Sequence, residues 1–162
     1  MYHEKTGPLT PEDILQELSG LLEGERDSVA TLANASALLF LHLEEINWLG
    51  FYLLRGGELV LGPFQGKPAC TRIAIGRGVC GTAFARDEAL VVDDVAEFPG
   101  HIACDPASRS EVVVPLKVGG RLVGVLDCDA PEVRRFGQAE RDLLEQAAAV
   151  IGAHLAQAGA TL

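Results

Sequence analysis

The sequence predicts an α+β fold: a central, mainly antiparallel β-sheet flanked by helices from both ends of the chain. Two hairpin signals and helical periodicity near both termini carry that prediction. Gly56-Gly57 and Gly119-Gly120 each separate two apolar, strand-like runs, which is the pattern of a tight hairpin turn. Strands joined by so short a turn pair antiparallel, leaving the terminal helices to cover the sheet.

Thr10 reads as an N-cap, with Pro11 at the first helical position and Glu12 and Asp13 in the first turn. Ile14, Leu15, Leu18, Leu21 and Leu22 then recur at helical spacing. A second helix, rich in Ala and Leu, is expected over residues 28–43, closing an N-terminal helical part at about 10–43. Residues 46–55 read as a long strand and 58–61 as its hairpin partner. Further strands are expected at 72–75 and 89–92, with a short helix at 79–86 between them. A loop of turn formers spans 98–110. Residues 111–118 and 121–129 form the clearest hairpin and end a region of sheet and loops at about 46–129. Residues 138–157 close the chain as an amphipathic helix with Leu143, Ala147, Ile151 and Leu155 on one stripe. No repeat, low-complexity tract or linker interrupts residues 1–162, so one domain is expected.

Composition narrows the function. A chain of 162 residues with 48% hydrophobic content can bury a core and is not disordered. A formal net charge of -10 argues against a nucleic-acid or anionic-membrane surface. The start, residues 1–7, has no apolar signal core, and no apolar run approaches a membrane span. Four cysteines do not make a dense secreted scaffold. The expected setting is cytoplasmic and reducing, where a disulfide is transient and catalytic rather than structural.

Three of those cysteines, Cys70, Cys80 and Cys104, sit beside glycine, proline or histidine rather than inside apolar runs. Structural cysteines usually lie in the core, whereas thiols on polar loops can ionise and meet one another. Structural zinc would need paired ligands two to four residues apart, which these cysteines lack, so no metal is expected. His101 either helps ionise Cys104 or caps its loop, while Asp105 pulls the thiol's pKa the other way.

Side chains alternate across a strand, so Trp48, Gly50 and Tyr52 share one face. Glycine between two aromatics leaves either a gap for a small ligand or ordinary core packing. Asp127 and Asp129 also share a face, with Glu111 at the start of the partner strand. Such carboxylates repel unless a cation, such as a ligand ammonium, or a shared proton sits among them. Alternatively, both aspartates are solvated at a strand end. Residues 76–81 match the dinucleotide pattern G-x-G-x-x-G, with Asp93 and Asp94 following, but hairpins leave no room for a parallel βαβ unit. These glycines better suit a turn whose N–H groups hold an anion such as a carboxylate.

Several strings together resemble the free methionine-(R)-sulfoxide reductases, which are single GAF domains. They are residues 47–52 (Asn47 to Tyr52), 61–70 (Leu61 to Cys70), 78–81, 98–105, Ser110-Glu111 and 124–127. The likeness spans about 34–131. It implies a GAF fold, reduction of free methionine R-sulfoxide without a bound cofactor, and thioredoxin as reductant. By motif position Cys104 resembles the attacking cysteine, Cys70 its main resolving partner and Cys80 a supplementary thiol. Glu111, Asp127 and Asp129 resemble the substrate-binding acids, Glu111 also donating the catalytic proton, and Trp48 and Tyr52 the aromatic walls. A homodimer through terminal helices is compatible with such a fold. The chain departs from the pattern at Cys128 and Ala130, where an aliphatic residue and serine are common. Strand alternation turns Cys128 away from the acids and into the core. The rival reading is a GAF sensor that binds a small molecule without turnover.

Overall fold

The structure is a computed structural model that describes residues 9–102 and 104–162. Residues 1–7, on which the reading of the chain start rests, and Ala103 in the loop string lie outside the described residues. Helix α1 (Pro11–Leu22) begins as its sequence dictates. Thr10 Oγ1 accepts from Asp13 N–H at 3.2 Å, and Asp13 Oδ2 accepts from Thr10 N–H at 3.1 Å. Helix α2 (Ser28–His42) follows, capped by Asp27. Helix α3 (Gly78–Arg86) lies mid-chain and α4 (Gln138–Ala158) closes it.

The strands are β1 (Trp48–Arg55), β2 (Glu58–Gly66), β3 (Arg72–Ala74), β4 (Leu90–Val92), β5 (Ser110–Val118) and β6 (Arg121–Ala130). They form one sheet in the order β3-β2-β1-β6-β5-β4, and the pairings among the described residues are antiparallel. The family resemblance and the hairpins therefore agree on the architecture.

Two expectations are corrected. Strand β2 runs to Gly66 rather than stopping at Leu61. Gly62 and Pro63 look like strand breakers, but they fall where the β1–β2 register shifts between Gly50 and Tyr52. A bulge tolerates a residue without an N–H donor. Cys80, read as a loop thiol, lies in the first turn of α3 and is buried.

Alternation along the central strands separates two cores. Leu49, Phe51 and Leu53 of β1, with Leu126 and Cys128 of β6, face α1, α2 and α4. The predicted α4 stripe of Leu143, Ala147, Ile151 and Leu155 is buried there. Packing of α4 on the sheet is close: a Cβ on Gly152 would run into the Lys117 carbonyl. The opposite face carries Trp48, Tyr52, Val113 and Val125, covered by α3 through Val79, Ala83 and Phe84.

Candidate active site

Register builds the site. Glu111 of β5 lies opposite Asp129 of β6, which lies opposite Trp48 of β1. In the next row on the same face, Val113, Asp127 and Gly50 are aligned. Three carboxyl groups are thereby brought together on the α3 side of the sheet. Like charges facing each other across a pair of strands are unfavourable. Their surroundings make this worse, since Glu111 and Asp127 are only 7% and 5% exposed. Burial, then the nearby Asp127 and Asp129 charges, hold the Glu111 pKa well above the usual carboxylate range. Burial raises Asp127 to about 6. Burial and Asp127 together push Asp129, at the half-buried edge, well up. The expectation of same-face acids sharing a proton or awaiting a cation fits this arrangement, and the alternative that both aspartates are solvated fails for Asp127. Asp127 Oδ1 has no hydrogen-bond partner among the described residues.

A pocket lies over this floor. Its walls include Trp48, Tyr52 and Val79, and Cys104 and His101 stand at its loop side. Trp48 stacks on Tyr52 at 5.9 Å between ring centroids and on Phe64 at 5.3 Å. The gap expected beside Gly50 is closed by the protein. A Cβ there would collide with Phe64 and come within 2.8 Å of the Trp48 ring. Gly50 thus lets the aromatics stack, and a ligand would meet the ring faces instead.

Cys70 and Cys104, separated by 34 residues, form a disulfide with Cα atoms 5.4 Å apart. Cys80 stands apart from them. Its Sγ donates to Glu111 Oε1 at 3.8 Å, and burial followed by the neighbouring acids raises its thiol pKa far up. That places it as a neutral partner of Glu111 rather than a ready thiolate. Cys128 is fully buried on the far face, as alternation requires. His101 has its pKa lowered by burial, which disfavours the imidazolium needed to ionise Cys104. Gly78, Val79 and Cys80 open α3 beside the pocket, and first-turn N–H groups lack helical partners. The glycine-rich segment therefore ends in an anion-favouring helix terminus, not a dinucleotide loop.

Cys80, Glu111 and Asp127 each offer an atom within 4.8 Å of the others, enough to approach a cation. An ammonium group would meet the same need.

Sequence reasoning left two neighbours without a role, Asn47 and Ser108. Asn47 Nδ2 donates to Ser108 Oγ at 3.2 Å and Asp105 Oδ2 at 3.4 Å, while its Oδ1 has no partner among the described residues. Asn47 stands in the first string of the resemblance, but nothing local shows that its partners lie some 60 positions on.

Known proteins share this architecture. Residues 12–155 match the GAF domain description. The Escherichia coli (strain K12) protein named free methionine-R-sulfoxide reductase is 53% identical over 134 residues, 83% of this chain and 81% of that one. Protein YtsP of Bacillus subtilis (strain 168) is 52% identical over 146 residues, 89% of this chain and 90% of that one. The X-ray structure of the Neisseria meningitidis free methionine-R-sulfoxide reductase, in complex with its substrate, superposes with a TM-score of 0.88. It is 40% identical, covering 98% of this chain and 95% of that one.

Proposed function

This chain belongs to the GAF domain family and, within it, to the free methionine-R-sulfoxide reductases, and on that premise we propose that it reduces free L-methionine (R)-S-oxide to L-methionine through a cysteine sulfenic acid and an intramolecular disulfide. One observation carries the reading: Cys104 is bonded to Cys70 beside a pocket with buried acids beneath and aromatic rings at its side.

The substrate's methyl-bearing end lies on Trp48 and Tyr52. Its ammonium enters among Glu111, Asp127 and Asp129, offsetting their repulsion and giving the unpartnered Asp127 oxygen a donor. Its carboxylate faces the first turn of α3. Recognition of both charged groups excludes methionine sulfoxide within a polypeptide, where they are lost to peptide bonds.

The Cys104 thiolate attacks the sulfoxide sulfur while Glu111, kept protonated by burial, donates to the departing oxygen. The hydroxyl then passes from the substrate sulfur to Cys104: the substrate S–O bond and the S–S bond made in the attack break as a Cys104 S–O bond forms. Methionine leaves and Cys104 is a sulfenic acid. Sulfur in the substrate is reduced by two electrons, and Cys104 is oxidised by two. Cys70 then attacks the Cys104 sulfur, releasing water and forming the disulfide. An external dithiol, thioredoxin, restores both thiols by exchange. In this scheme Cys80 supports the Glu111 hydrogen bond and serves as a supplementary thiol only after losing its proton. Such thiol cycling suits a cytoplasmic, reducing compartment. No helix among the described residues is long and apolar enough to cross a membrane. A homodimer through the terminal helices is open to sedimentation analysis.

The test is a coupled assay with the purified chain, free R-epimer and a thioredoxin system. Release of methionine is expected, and its absence for that epimer would sink the proposal. Peptide mapping after substrate without reductant should give Cys70–Cys104 as the dominant bridge. A map dominated by Cys80–Cys104 would instead make Cys80 the resolver.

A further inference from the structure

The geometry points to the start of β1 as a clamp on both cysteine-bearing loops, with Asn47 and the Tyr52 hydroxyl as positioning residues for closing the Cys70–Cys104 disulfide. Asn47 is fixed to the sheet, since its backbone N–H donates to the Asp129 carbonyl at 3.0 Å. Its side-chain amide then reaches Ser108 Oγ and Asp105 Oδ2. Asp105 follows Cys104 directly and organises the loop there. Its Oδ1 accepts from Ala107 N–H at 2.9 Å, and its carbonyl accepts from Ser108 N–H at 3.1 Å. The segment after Cys104 is thus a small turn fastened to β1 through Asn47.

Farther along the same strand, the Tyr52 hydroxyl donates to the Cys70 carbonyl at 2.9 Å. Between the two, Trp48 Nε1 donates to the Lys67 carbonyl at 3.1 Å. The aromatic walls therefore have polar ends that hold the Cys70 loop. Strand β1 is paired on both sides, with β2 and β6, so it is a rigid reference for both loops. Each of these bonds holds its loop in the conformation in which the two sulfurs meet, so bonds and disulfide favour one another. Holding two reactive groups on one frame raises the effective concentration of each at the other.

The step affected is two-electron exchange. Two thiols lose two protons and two electrons as the S–S bond forms, and an external disulfide accepts them; reduction by an external dithiol is the reverse. The inference uses the disulfide and not the sulfoxide assignment, so its test needs no substrate and fails independently of the proposed reaction.

The full chain is equilibrated with mixtures of reduced and oxidised dithiothreitol, and the Cys70–Cys104 bridge is quantified by thiol alkylation and mass spectrometry. Loss of one hydrogen bond should lower the closure constant about fivefold, raising the potential by about 20 mV. That shift is expected for Ser108→Ala and for Tyr52→Phe, and at least as large a one for Asn47→Ala, which loses two hydrogen bonds. Ser108→Ala guards against misfolding of the first, and Tyr52→Phe keeps the ring. Combining Asn47→Ala with Tyr52→Phe should add the two shifts, because the residues hold different loops. Wild-type potentials in all three single variants, even with lowered melting temperatures, would mean that the contacts are merely structural and would overturn the clamp.

Discussion

Replacing Asp127 with asparagine separates what this buried acid costs the fold from what it does for the substrate. Burial raises its pKa from 3.8 to about 6. Below about pH 4 the folded and unfolded chains both hold the proton, and the residue is neutral in either state. Between about pH 4 and pH 6 the unfolded chain ionises first, so stability falls as pH rises. Above that window both states are ionised and the loss reaches its plateau of about 3 kcal/mol. Asparagine keeps the shape and escapes the titration. Asp127→Asn should therefore match the wild type near pH 4 and exceed it near pH 8 by up to about 3 kcal/mol, or about 6–12 °C in melting temperature for a domain of this size. Urea unfolding of the oxidised protein across that pH range, read by the single tryptophan and by circular dichroism, measures the difference. Methionine sulfoxide turnover should fall in the same variant as the ammonium loses a partner. A stability gap independent of pH, or a variant less stable than wild type near pH 8, would refute the assignment of Asp127 as a buried acid under strain.

Other expectations follow from the same geometry. Cys104→Ser should abolish methionine release while calorimetry still detects binding of the R-sulfoxide; continued turnover would remove Cys104 as nucleophile. Cys80→Ala removes a donor that lowers the Glu111 pKa, so the alkaline limb of kcat/KM should move to higher pH. An unmoved limb would separate Glu111 from the proton transfer. Gly50→Ala should destabilise the fold by about 1–3 kcal/mol and alter Trp48 fluorescence, because the added methyl collides with Phe64. A neutral Gly50→Ala would show that the stack can yield.

What was legible in the chain was mostly what depends on neighbours in sequence. Thr10 and Asp13 announce a helix start three residues apart, and two Gly-Gly pairs announce the hairpins. Period-two alternation sorted Asp127 and Asp129 from Cys128 without any knowledge of the fold, because the pleat enforces it. The match between those faces and the resemblance is why the acid cluster could be anticipated. Contacts across long loops were not legible. Phe64 fills the space beside Gly50 only because a bulge carries β2 past Pro63. Asn47 reaches Ser108 only because β5 and β6 bring the Cys104 loop back over β1. Cys80 misled for a related reason: flanking glycines suggested an open turn, yet Gly81 is there because α3 packs so closely that a Cβ would strike the Ala74 carbonyl.

The placement of Cys128 between Asp127 and Asp129 makes the sheet a partition for sulfur chemistry. Oxidants admitted to the pocket meet Cys80 and Cys104, and a single layer of backbone separates them from Cys128. That separation rests on pairing parity, not on distance. Sliding β6 by one residue would deliver Cys128 to the pocket and drive both aspartates into the helical core. A register shift between Leu116 and Lys117 separates the Gly119-Gly120 turn, far from any reacting atom, from the acids, so it is the burial of the two faces that decides how many sulfurs take part.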